Sequence, residues 1–286
     1  MNKEDLYIGW SEDTPEKNRK ALKTLLIPVF LFIPIICLII VVFMKPFNNH
    51  TFELGKIKEF TGIYYEEPFP VLILDNGESP SNSDNHAMLV GYGKNGAKGF
   101  FKVIQSRNGD MSGKKIKIRG TLIYGDGKTL IELTQKENSF VEIVDNDVHE
   151  YYPNEHNTIE LKGEILDPKC WFGVMKPGEG KVHKSCAIRC ISGGIPPVLR
   201  SYENGKNSYY ILRVIHAQDV NKDILQFVAE PIQLKANVTS INGWFILQID
   251  PDNIKLTNID TDQSFDLEYQ YNIPVCKNVS RTLTSQ

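Results

Sequence analysis

The sequence lacks a basic excess. Its 286 residues carry 32 Lys and Arg against 35 Asp and Glu, a formal net charge of −3. Neutralising a phosphate backbone needs clustered positive charge, so nucleic acid is not an expected partner. Catalytic signatures are missing as well. No serine sits in a G-x-S-x-G turn and no H-E-x-x-H helix appears, which removes two common hydrolase patterns. Charged residues are 23% and hydrophobic ones 41%. That composition is neither disordered nor fibrous, and the length suffices for two domains with real cores.

Charge is absent altogether from Leu25 to Met44. Twenty helical residues span roughly 30 Å, the thickness of a bilayer's hydrocarbon core. A cleaved signal peptide would have a shorter apolar region, about 7 to 15 residues, and a small-residue site after it. Here Lys45-Pro46-Phe47 follows instead. A retained anchor is the expectation, bent at Pro28 and Pro34, with Cys37 facing lipid or a partner helix. Lys17, Arg19, Lys20 and Lys23 crowd its N-terminal side, while Lys45 stands alone after it. Positive-inside asymmetry makes residues 1–24 a cytoplasmic tail, 25–44 the transmembrane helix, and carries residues 45–286 across. The first twenty residues, anchored only by Tyr7 and Trp10, are expected to be disordered.

Beyond the membrane the sequence reads as short strands. Phe60 to Tyr65, Val71 to Leu74 and Met88 to Val90 are β-branched or apolar runs broken by Pro and Gly/Ser/Asn turns. Gly91 to Gly96 matches G-x-G-x-x-G and leads into a short helix over 97–105. It lacks the βαβ context of a dinucleotide site, so it reads as a turn and helix start. Lys114 to Leu133 alternates on two arms around Asp126-Gly127, a β-hairpin. Residues 134–157 are acidic and polar and read as a linker.

The second half repeats the first. Glu230 to Ile249 aligns without a gap on the first hairpin: Ile116 on Ile232, Ile118 on Leu234, Leu122 on Val238, Asp126-Gly127 on Asn242-Gly243, and Leu130 on Ile246. Upstream, Leu161-Lys162-Gly163 matches Phe60-Thr61-Gly62, and Pro197-Val198-Leu199 matches Pro70-Val71-Leu72. The strand over 209–215 answers that at 88–90, and residues 222–229 answer the helix. Internal duplication accounts for all of these together. Five short strands with one helix before the last hairpin suit a small barrel of the OB type, with a β-sandwich as the alternative. The expected fold is mainly β: the membrane helix, a first OB-like domain over 45–150, a second over 151–259, and a tail over 260–286.

One segment has no counterpart in the first repeat. Between Gly163 and Pro197 the second repeat inserts residues 167–197, which a packed core does not require; such insertions are where sites tend to lie. The insertion holds Cys170, His183, Cys186 and Cys190 in a C-x12-H-x2-C-x3-C set. A helix over 182–191, ended at Gly193-Gly194, would put His183, Cys186 and Cys190 on one face. Cys170 would close a tetrahedral Cys3His site for Zn²⁺ or a softer ion such as Cu(I). Two other readings stand beside this one. Outside the cytoplasm cysteines usually pair, and Cys276 makes four with three possible pairings. A redox-active thiol pair is the third, with His183 and Lys184 as the basic neighbours that would activate it. Asp167-Pro168 reads as a turn, its carboxylate bonding to backbone.

The stretch Gly163 to Cys170, followed by His183 to Gly193, resembles a set of bacterial membrane-anchored or exported modules. They share the pattern G-x-[IV]-x-D-x-x-C, then H-x-x-C-A-x-x-C-[IV]-x-x-G. The resemblance covers residues 159–250 and implies a bacterial cell envelope; no activity comes with it. The expected function is binding or assembly in the envelope, with the insertion as working surface and a protein of the envelope as partner. A thiol-redox or metal-dependent enzyme, and a disulfide-stapled structural subunit, are the alternatives.

Overall fold

The computed structural model describes residues 16–43, 50–75, 78–80, 84–134, 136–150, 152–203, 206–214, 220–241 and 243–257. Tyr7, Trp10, Asn242, the tail over 260–286 and Cys276 lie outside the described residues. The chain divides into two units, one through residue 48 and one from residue 49 on.

The first unit is helix α1 (Glu16–Phe43), 28 residues, about 42 Å at 1.5 Å per residue. It is long and apolar enough to cross a membrane, and none of its residues is buried. Both Pro28 and Pro34 lie inside one continuous helix. The helix reaches back to Glu16, so residues 16–20 are not disordered as expected. Glu16, Lys17, Arg19, Lys20 and Ala21 are strong helix formers, and they extend the apolar helix backwards.

The second unit holds two closed barrels of five strands. The first is built from β2 (Lys58–Tyr65), β3 (Val71–Leu74), β4 (His86–Val90), β5 (Lys115–Gly125) and β6 (Lys128–Leu133). Its closed order is β2-β3-β4-β6-β5 and back to β2, with β4 and β6 parallel and the rest antiparallel. Helix α2 (Lys98–Asn108) sits between β4 and β5. The long β5 closes the barrel by pairing with β2 through its first half and β6 through its second, with Gly120 in both registers. Two short strands flank β5: β1 (Thr51–Phe52) and β7 (Phe140–Asp145). Residues 134–157 are therefore not simply a linker. They contain β7 and the start of the next strand, whose polar, largely exposed positions hide the alternation a strand usually shows.

The second barrel repeats this order with β8 (Asn154–Leu166), β9 (Val198–Glu203), β10 (Lys206–Val214), β11 (Pro231–Ile241) and β12 (Trp244–Ile249). Again the third and fifth strands are parallel. A short helix α4 (Val220–Asp223) and a 3-10 turn (Leu225–Phe227) replace α2, and β13 (Lys255–Leu256) flanks β11. Equivalence reaches single atoms. A Cβ on Gly62 would overlap the Ile73 carbonyl oxygen, and one on Gly163 would overlap that of Arg200. Gly62 opposes Ile116 just as Gly163 opposes Ile232.

Each barrel has its own apolar core, and a third cluster lies between them. It joins Val71, Met88, Val90, Ile123 and Leu130 of the first barrel to Val198, Tyr209, Ile211, Trp244 and Ile246 of the second. Wedged among these are Cys170, Trp171, Phe172, Cys190 and Ile195 of the insertion. In barrels of this type the face of strands two and three is the usual ligand surface. Here those faces, β3 with β4 and β9 with β10, supply side chains to the junction.

Candidate functional site

The insertion leaves β8 at Asp167, whose Oδ1 accepts the Lys169 backbone N–H at 3.0 Å. That turn starts a π-helical turn (Cys170–Val174), and helix α3 (Gly180–Ser192) follows. Glu164 of β8 accepts the Gly180 N–H at 2.6 Å, filling one of the free donors at the start of α3. Gly193 and Gly194 end α3, Gly194 with positive φ, as the sequence implied. On α3, Ala187 and Ile191 pack into the second barrel's core, while Cys186 and Cys190 turn to the junction.

The first barrel grips this segment at two places. Its Gly91–Gly96 loop forms a socket for Lys169, whose Nζ donates to the carbonyls of Gly91 (2.9 Å) and Gly93 (2.6 Å) and to Glu132 Oε1 (2.6 Å). Gly96 N–H donates to Gly193 O at 2.8 Å, and the backbones are so close that a Cβ on Gly96 would overlap Gly194 O. These glycines thus serve a docking contact between barrels. On the other side, His50 Nδ1 lies 3.0 Å from Trp171 O and its Nε2 3.2 Å from Asp126 Oδ1. Trp171 Nε1 donates to Tyr209 OH, which in turn donates to Asp126 Oδ2. Burial pushes the Asp126 carboxyl up, but the bonds from Tyr209, Asn207 and His50 outweigh it and hold it below the usual range.

All four predicted site residues lie in this wedge. Cys170, His183 and Cys186 converge, with their donor atoms all within 4.8 Å of one another. Cys190 joins a second group, with Cys170 and Asp167, under the same limit. Cys170 is common to both. Its sulfur stands 3.9 Å from that of Cys186, and Cys170, Cys186 and Cys190 are all free thiols. Asp167 and two lysines are what the sequence reading missed as parts of the site. The Asp167 side chain is fully buried, and its Oδ2 has no hydrogen-bond partner among the described residues. The Asp-x-x-Cys spacing was the available signal, since a turn carboxylate has a second oxygen to place. Lys94 donates from Nζ to Cys186 Sγ at 3.4 Å; no local pattern links residues that far apart.

The electrostatics suit a ligand cluster. A hydrogen bond with Cys190, burial and the nearby Asp167 carboxylate all push the Cys170 thiol far up, so without a cation it keeps its proton. Burial, helped by Lys94 and opposed by Asp167, lowers His183, leaving a neutral imidazole. Its Nε2 is buried with no hydrogen-bond partner among the described residues. Two thiolates on one tetrahedral Zn²⁺ at about 2.3 Å stand about 3.8 Å apart, close to the spacing of Cys170 and Cys186. The set is compatible with a metal ion held by Cys170, His183 and Cys186, with Cys190 and Asp167 beside Cys170 for a fourth bond. The insertion buries Cys170, Trp171 and Phe172 in the junction and exposes other side chains, among them Val174, Met175 and Val182, the last 85% accessible. No family model, curated protein or solved structure matches this chain, so what the site does has to be argued from its geometry.

Proposed function

We propose that this is a membrane-anchored cell-envelope protein with a binding or assembly role, carrying a thiolate–imidazole metal site at the junction of its barrels. One observation carries the metal reading: two thiols and an imidazole converge, and the buried imidazole Nε2 has no hydrogen-bond partner among the described residues. Buried polar atoms without partners are costly unless something satisfies them. Soft sulfur with nitrogen favours Zn²⁺ or Cu(I) over Mg²⁺ or Ca²⁺. The anchor reading rests on α1, and the basic residues in its first two turns, Lys17, Arg19, Lys20 and Lys23, support a cytoplasmic N-terminus with both barrels outside. The Asp-x-x-Cys and His-x-x-Cys-Ala pattern supports a bacterial envelope. A binding role fits better than an enzyme, because the donors are largely enclosed and the usual ligand faces are spent on the junction.

Metal content and free thiols of the full chain, purified anaerobically in detergent, test this. One equivalent of zinc or copper is expected, with Cys170 and Cys186 protected from alkylation until a chelator is added. No metal, with Cys186 freely alkylated, would end the metal reading. A reporter active only outside the cytoplasm should work when fused after residue 150; a cytoplasmic reporter active there would reverse the orientation.

A further inference from the structure

We propose that Cys186 and Cys170 form a reversible disulfide, that Cys186 is the thiol through which oxidation enters, and that the disulfide and the metal exclude one another. The exclusion rests on the metal reading above; the disulfide does not.

The three thiols of the wedge differ in access. Cys170 is 3% exposed and Cys190 2%, whereas Cys186 is only half-buried. An oxidant from solvent therefore meets Cys186 first. Lys94 places its ammonium 3.4 Å from that sulfur. Once Cys186 is modified, the nearest resolving thiol is Cys170, in sulfur–sulfur contact at 3.9 Å. Cys170 also contacts Cys190, but neither of that pair is open to the initial attack.

The chemistry is thiol–disulfide exchange with a small disulfide as oxidant. Cys186 sulfur, its proton lost to solvent, attacks one sulfur of the oxidant and expels the other half as a thiolate. Cys170 then attacks Cys186 Sγ, the bond from Cys186 to the small half breaks, and the Cys170 proton passes to the departing second thiolate. Two protein thiols are oxidised by two electrons, and one small disulfide becomes two small thiols. In the product the sulfurs stand about 2.05 Å apart, little more than half the span of about 3.8 Å that two thiolates need around one zinc ion. Neither is then a thiolate ligand. Conversely, a bound ion occupies the lone pairs that oxidation requires.

The test uses the full chain in detergent, stripped with chelator and treated with oxidised glutathione, with and without one equivalent of Zn²⁺. The expected product has lost two hydrogens, contains a Cys170–Cys186 linked peptide, and returns to free thiols with reductant. Zinc should slow its formation on the order of tenfold or more. Cys186→Ser should abolish it, while Lys94→Met should slow it and leave the linkage unchanged. A Cys170–Cys190 linkage, a persistent mixed disulfide at Cys186, or equal rates with zinc bound would each overturn the proposal. Zinc titration of the reduced protein separates the two claims. If no zinc binds, the metal reading and the exclusion both fall, and the linked peptide still decides the disulfide.

Discussion

The socket for Lys169 is the contact most open to a quantitative test. Its side chain is 4% exposed and that of its partner Glu132 12%. Besides the carboxylate, only the Gly91 and Gly93 carbonyls accept from its Nζ among the described residues. Lys169→Met keeps the length of the side chain and the Lys169 backbone bond to Asp167 but removes the cation. A buried carboxylate and two carbonyls are then left facing a methyl group. Breaking one partner of a buried pair costs about 3–5 kcal/mol, mostly because the other charge is stranded. At about 2–4 °C per kcal/mol for a unit of this size, the melting temperature should fall by about 6–20 °C. Intrinsic fluorescence reports the event well: two of the three tryptophans, Trp171 and Trp244, belong to the junction cluster. Adding Glu132→Gln removes the stranded charge and should recover about 1–3 kcal/mol. A single variant costing under about 1 kcal/mol, or a double variant no better than the single, would refute the reasoning.

Two further outcomes follow from the geometry. Gly62→Ala and Gly163→Ala should each cost about 1–3 kcal/mol, since each Cβ meets the equivalent carbonyl; denaturant midpoints that differ widely between them would contradict the atomic equivalence of the barrels. His86 gives a pH test. Burial is the largest cause lowering it from 6.5, with Lys128 adding and Asp84 opposing. A lowered folded value means its contribution is fully present above about pH 6.5 and lost as pH falls through that lowered value, at up to about 1.4 kcal/mol per pH unit. His86→Leu should therefore flatten the acid side of the stability profile, and an unchanged slope would refute the assignment.

The strands of both barrels were legible because each was encoded locally. Apolar alternation marked the hairpin arms, and Asp126-Gly127 marked its tip. The gap-free match of Ile116 to Ile232 then carried one hairpin onto the other. The strand β7 was missed because it lies on the outside of β5, with too little burial to enforce alternation. The G-x-G-x-x-G stretch read correctly as a turn and helix start. Its carbonyls aimed at Lys169 left no trace in the local pattern.

By itself the sequence determined the apolar helix, the duplicated strand order, the position of the insertion and the helical spacing of His183, Cys186 and Cys190. All of these depend on periodicity or on turn residues acting over a few positions. Only the tertiary structure decided that the usual ligand faces pack on one another, with the insertion between them. It alone divided the thiols, setting Cys186 beside Lys94 and Cys190 beside Asp167, with Cys170 shared. Such choices depend on which distant surfaces exclude water together, and apolar burial is non-directional. Period and composition say that a face will be covered; the packed chain selects the neighbour that covers it.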